Sequence, residues 1–237
     1  MSYLHHSRSA LYSFIFTLPL FFIYEAGILF LSNEDIVIIR NGADFLLKNI
    51  LESFGIFGLY SLGIVFFIGF LGSYIIYFRS DNNKNIKAEY LFIMIIESIF
   101  WSVILYFLLS KFMLVLMNPI GKTIIQQVTL AIGAGIYEEF LFRVILISGL
   151  SFVIGFIFLW DDILVKMSAL IVSAGIFSAF HFFGDYGDFF SIELFLIRFV
   201  AGIILGLLYY FRGFGITATS HSIYDLIVLI QLTTRFQ

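Results

Sequence analysis

Gly135-Ile136-Tyr137-Glu138-Glu139-Phe140-Leu141-Phe142-Arg143 sets two adjacent carboxylates and a guanidinium inside an apolar run that extends from Ile124 to Trp160. Crossing the hydrocarbon takes about 20 apolar residues at about 1.5 Å each, so this run is too long for one span. An ionisable group at the centre of such a helix costs about 2.5–3.5 kcal/mol on insertion scales, and each one therefore demands a partner or a task. Neighbouring helical positions differ by about 100°, so the two glutamates cannot serve one face. Glu139 and Arg143 stand at i and i+4 in the favourable acid-before-base order and can neutralise each other. Glu138 is left pointing elsewhere, free to meet a group on another helix. Taken alone, the segment also reads as a buried ion pair with one spare protonated glutamate.

The rest of the chain explains why such a segment is surrounded by lipid-like sequence. Of 237 residues, 61% are apolar or aromatic and 12% charged, with a mean hydropathy of +1.05. Soluble domains run at about 45–50% apolar and about 25% charged, so a soluble globule is excluded. Lys and Arg number 13 against 16 Asp and Glu, scattered without a polybasic tract; nucleic acid is not an expected partner. Cysteine is absent, which removes disulfides, thiolate metal sites and a cysteine nucleophile together, so any reactive group must be an oxygen or an imidazole.

Apolar runs at Leu11 to Leu31, Ile56 to Phe78, Tyr90 to Met117, within Ile124 to Trp160, at Leu164 to Phe183, Ile192 to Phe211 and Ile216 to Leu232 predict an all-α, polytopic transmembrane bundle of about seven spans. Asn33 to Phe54, interrupted by Asp35, Arg40, Asp44, Lys48 and Glu52, reads as an amphipathic helix at the interface, or as a short eighth span. No internal repeat divides the chain. Residues 1–237 read as one membrane-embedded domain with a core over 125–230. The first run is too long for a signal-peptide core and lacks a small-residue cleavage site before Asn33-Glu34-Asp35, so it reads as a retained anchor. Arg8, the Arg79, Lys84 and Lys87 loop, and Arg212, read as a loop residue after span six, predict a cytoplasmic amino terminus, while Lys122 and Asp161-Asp162 fit that bias less well. The expected setting is a prokaryotic cell membrane. Gly202 and Gly206 form a small-xxx-small pair suited to close helix packing.

Other intramembrane polar residues sort by clustering. Glu25 and Glu97 stand alone in their spans, with nothing nearby in sequence to pair with, and either one can be protonated or reach across helices. Glu193 and Arg198 lie near a span end and are expected at the interface, outside any site. Phe177 and His181, at i and i+4, close the fifth span; the midpoint between Glu138 and His181 falls at the Trp160-Asp161-Asp162 turn. An antiparallel hairpin folded there brings Glu138 and His181 to one depth. His221 and Asp225 share a face of the last span, again at i and i+4. Glu138, His181, His221 and Asp225 thus come from three helices, which is how bundles build interior sites. A glutamate beside an imidazole suits a general base acting on water, and a further histidine can donate to a developing oxyanion, with Asp225 either orienting that histidine or, if protonated, donating directly.

The order Glu138-Glu139-x-x-x-Arg143, Phe177-x-x-x-His181 and His221-x-x-x-Asp225 resembles the CPBP family, the CAAX-processing and bacteriocin-processing (Abi) intramembrane proteases. The resemblance implies a helical bundle whose cavity admits water, with Glu138 as the catalytic carboxylate, His181 as its partner and His221 with the following polar residue in an oxyanion site. Glu139 and Arg143 would support the site, with Phe177 beside them. Many relatives carry asparagine where this chain has Asp225, and an ionised aspartate cannot donate to an oxyanion. Members cleave prenylated C-terminal motifs, process peptides or confer immunity to bacteriocins, so the implied partners are membrane lipid and a peptide or protein substrate.

No cofactor is expected, although two histidines and two carboxylates leave zinc or another divalent ion open; the zincin His-Glu-x-x-His pattern is absent. The competing functions are a non-catalytic binding or immunity protein of the same fold, and an ion-coupled transporter using Glu138, Glu25 and Glu97, which would call for inverted repeats. Counted from its loop, His221 lies only about 9 Å into the membrane, at about 1.5 Å per residue. That conflicts with the depth of Glu138 unless the fourth span begins near Ile124.

Overall fold

The computed structural model describes residues 3–30, 42–55, 86–109, 123–183 and 187–235, with positions 68, 69, 71, 72, 74–76 and 79. The described residues form helices and contain no strand: α1 (Tyr3–Ser7), α2 (Ala10–Leu29), α3 (Gly42–Ser53), α4 (Ala88–Leu109), α5 (Ile124–Phe158), α6 (Asp162–Phe180), α7 (Ile192–Arg212) and α8 (Phe214–Arg235). α2, α4, α5, α6 and α7 are long and apolar enough to cross a membrane. The second expected span, Ile56 to Phe78, lies largely outside the described residues, as do 110–117 of the third. Within the expected amphipathic segment, α3 turns Ala43 and Leu47 into the cluster that holds Tyr24, Ile136 and Tyr137.

Helix ends follow local chemistry. Ser9 caps α2 by accepting from the Tyr12 amide. At α5, Thr123 and Gln126 form a reciprocal capping box, which fixes its start at Ile124. Leu159, in the left-handed conformation, ends α5 and opens the turn into α6. This is the hairpin expected around residues 160–162, and α5 and α6 pack along it.

α8 is the central rod, packed against α2, α4, α5 and α7. That position explains its composition: Thr217, Thr219, Ser220, His221 and Ser222 are buried in the bundle while lipid-facing side chains such as Phe92, Phe107, Phe152 and Phe156 cover the outside. Between apolar helices in lipid the hydrophobic effect supplies little, so close van der Waals contact and hydrogen bonds must hold them. Gly202 and Gly206 act as expected. A Cβ at Gly202 would lie 3.1 Å from that of Ala174, and one at Gly206 would lie 3.2 Å from Leu170, so α6 and α7 meet at nearly backbone distance.

Three sequence expectations change here. Arg212 is the last residue of α7, buried and ion-paired with Glu97, rather than a loop residue. Glu97 accordingly is not solitary: it also accepts from Tyr3 Oη at 2.6 Å and from Trp101 Nε1 at 3.3 Å, one turn along its own helix. Likewise Arg198 is buried, paired with Asp188 and stacked 5.4 Å over Phe182, whereas Glu193 is exposed. In each case a long side chain crosses to a neighbouring element, a partner that spacing along one helix does not reveal.

Candidate active site

α5 is not uniformly α-helical. It widens into π-helix over Ala134–Glu138 and again over Phe140–Ile147, so the expected carboxylate segment lies in a non-standard stretch. Hydrogen bonding from i to i+5 puts more residues in each turn, and neighbouring side chains are then separated by less than the α-helical 100°. π segments are frequent at functional sites. The widened stretch is tied to its neighbours: Ser173 on α6 donates to the Phe142 carbonyl at 2.8 Å, and Gly135 lies directly against α8. A Cβ there would sit 2.5 Å from the Ala218 carbonyl oxygen and would overlap the Ser222 hydroxyl, so only glycine allows this seating.

From this stretch Glu138 and Glu139 reach different helices. Glu138, 7% exposed, has Oε2 at 3.9 Å from His181 Nε2 at the end of α6. Glu139 is fully buried and does two things: Oε2 lies 3.0 Å from Arg143 Nε, and Oε1 lies 2.9 Å from His221 Nδ1 on α8. The spacing argument found the Arg143 pair but not the histidine. Only the packing of α8 against the widened turn brings it there. The Arg143–Glu139 approach has ion-pair distance without hydrogen-bond alignment, and the guanidinium stacks 4.7 Å over the Phe177 ring.

His181 is held on both sides. Its Nδ1 lies 2.9 Å from the Phe177 carbonyl, which can only accept, so Nδ1 carries a proton and Nε2 is the ring atom turned toward Glu138. Phe177 meets the ring edge-on at 5.0 Å. Beyond the helix end, the Asp188 amide donates to the His181 carbonyl, and Asp188 is itself clamped by Arg198. On α8, Asp225 Oδ2 stands 3.6 Å from His221 Nε2, beyond hydrogen-bond distance. His221 is thus bracketed by a carboxylate on each ring nitrogen. The structure therefore pairs Glu138 with His181 and, through the adjacent Glu139, sets His221 with Asp225 beside the same widened turn.

Glu138 is the fifteenth residue of α5, which at about 1.5 Å per residue sets it about 21 Å from the Ile124 end. That removes most of the depth conflict. Glu25 does not join the cluster directly; it accepts from Tyr137 Oη at 3.1 Å, and Tyr137 packs edge-on against Tyr24. Among the described residues no group of three or more His, Cys, Asp or Glu has the arrangement of a metal site.

No curated protein matches the chain significantly, and no solved structure does. Residues 120–227, which hold every residue of the cluster, match the family model described as type II CAAX prenyl endopeptidase Rce1-like. That segment is similar to the Rce1-like family, in keeping with the CPBP resemblance of its three motifs.

Proposed function

We propose that the protein is an intramembrane endopeptidase in which Glu138 and His181 activate water against a peptide bond near the C-terminus of a prenylated or precursor peptide. The observation that carries this is the 3.9 Å separation of Glu138 Oε2 and His181 Nε2. An ionised carboxylate and a lone pair are both acceptors and cannot bond each other, but a water molecule can donate one O–H to each. Its own lone pair then faces outward for attack.

In the first step the water oxygen bonds to the carbonyl carbon, the C=O π pair moves onto oxygen, and Glu138 takes the released proton. The His181 hydrogen bond orients the water. Glu139 accepts from His221 Nδ1–H, and donation to the oxyanion from Nε2–H uses the imidazolium form, with the Asp225 carboxylate 3.6 Å from Nε2. Collapse breaks the C–N bond, and Glu138 returns its proton to the departing nitrogen. Arg143 pairs with Glu139, and the Phe177 ring lies beneath its guanidinium. Asp225 serves His221 through its charge rather than as a donor.

The test uses the purified full chain in detergent with a fluorogenic peptide ending in a farnesylated Cys-a-a-X sequence. The parent is expected to cleave it. Glu138→Gln and His181→Ala are expected to lose about 10²–10⁴ in kcat, the usual range for a general base, with melting temperatures unchanged. Equal cleavage by all three proteins would end the proposal and leave a non-catalytic binding protein of the same fold.

A further inference from the structure

At the end of the bundle that carries Arg8 and the α7–α8 turn, a cavity of about 440 Å³ opens between α2, α5, α6, α7 and the start of α8. Its inner wall is apolar, formed by Phe14, Phe140, Val144 and Phe214. Its rim is polar, with Arg8 and Lys166 among the hydroxyls of Ser151 and Tyr210. Glu138, His181 and His221 are not among its lining residues. Phe140 packs edge-on against Phe214 as part of that wall, while Glu138 turns toward α6. The cavity is therefore a second site rather than the mouth of the first.

Arg8 is held there by construction. Gly213, at φ +80°, ends α7, and a Cβ on it would lie 3.2 Å from the Arg8 Cα, so the missing side chain lets residue 8 settle over the turn. The guanidinium donates to the Tyr210 carbonyl at 2.8 Å and, among the described residues, has no carboxylate partner. Most of its five donors thus remain available. Lys166 shares its charge with Asp162 one turn away, both of them exposed. Among the described residues the rim therefore carries one uncompensated cation above an apolar wall, a match for an amphiphile with an anionic head. Basic pockets between membrane helices take lipid phosphates in this way, and the volume lies within the usual range for ligand sites.

We propose that this cavity binds one anionic phospholipid, its phosphate at Arg8 and the upper part of an acyl chain along Phe14, Phe140, Val144 and Phe214. The site is independent of the proteolytic assignment. A free phosphate would gain the cation but not the wall; a neutral phospholipid would gain the wall but leave the cation without net compensation.

The experiment is native mass spectrometry of the detergent-purified chain, titrated with phosphatidylglycerol and phosphatidylcholine of identical acyl chains. The parent is expected to retain phosphatidylglycerol at least about fivefold better. Arg8→Gln should bring the two lipids within about twofold, Arg8→Lys should keep the preference, and Val144→Trp should lower retention of both by filling the wall. Inorganic phosphate should not displace the lipid. Equal retention of both lipids by the parent, or an undiminished preference in Arg8→Gln, overturns the assignment. Displacement by inorganic phosphate, or by an apolar peptide with a free C-terminus, overturns it in favour of those ligands. A melting curve for each variant separates lost binding from lost folding, and Arg8→Lys is the variant expected to fold like the parent.

Discussion

Replacing Gly135 by alanine tests the seating of the widened helix on α8, and Gly149→Ala in the same helix supplies the internal control. At Gly135 the new Cβ would stand 2.5 Å from the Ala218 carbonyl oxygen and 2.7 Å from the Ser222 amide nitrogen, where ordinary contact begins at 3.4 Å. Both neighbours are backbone, so α8 must retreat by about 0.7–0.9 Å rather than rotate a side chain away. Overpacking of this kind costs about 1–3 kcal/mol. For a chain of this size that corresponds to a melting temperature lower by about 2–12 °C. Because His221 precedes Ser222, the same retreat stretches its 2.9 Å bond to Glu139, so activity should fall further than stability. Gly149 has nothing within 4 Å of a built Cβ. There the substitution gains only helix propensity, about 0.8–1.0 kcal/mol, and should raise the midpoint by about 2–4 °C. The assay is thermal unfolding in detergent followed by tryptophan fluorescence, beside the peptide-cleavage rate. A Gly135→Ala protein that melts and cleaves like the parent would refute the close contact of α5 with α8.

Two further outcomes follow from the charges in the cluster. Arg143→Ala removes the guanidinium from the fully buried Glu139 carboxylate, leaving His221 beside it, and removes the stack on Phe177, so stability should fall by about 3–5 kcal/mol; an unchanged melting temperature would mean that water reaches Glu139. Asp225→Asn removes the charge beside His221 Nε2 and should lower kcat about tenfold, equivalent to about 1.4 kcal/mol, without changing the melting temperature. A kcat equal to or above that of the parent would instead assign position 225 the role of a hydrogen-bond donor.

The amino-acid sequence by itself determined the helical, membrane-embedded class, because an apolar fraction this high leaves the backbone no partner in lipid except its own helix. It also determined the hairpin pairing of Glu138 with His181, since a turn at residues 160–162 forces positions equally distant from it to one depth. The Glu139–Arg143 and His221–Asp225 pairs were legible for a similar reason: both lie one turn apart on one helix. What only the tertiary structure decided were contacts that cross between elements. Arg212 reaching Glu97 and Arg198 reaching Asp188 depend on which helices are neighbours, and the hydropathy of each segment is silent on that. The hydrogen bond from His221 to Glu139 depends further on the π-helical widening of α5 and on Gly135 admitting α8, a backbone geometry that the periodicity of apolar residues does not encode. Spacing fixes angles within a helix; the distance between two helices is set by the smallest residue at their contact.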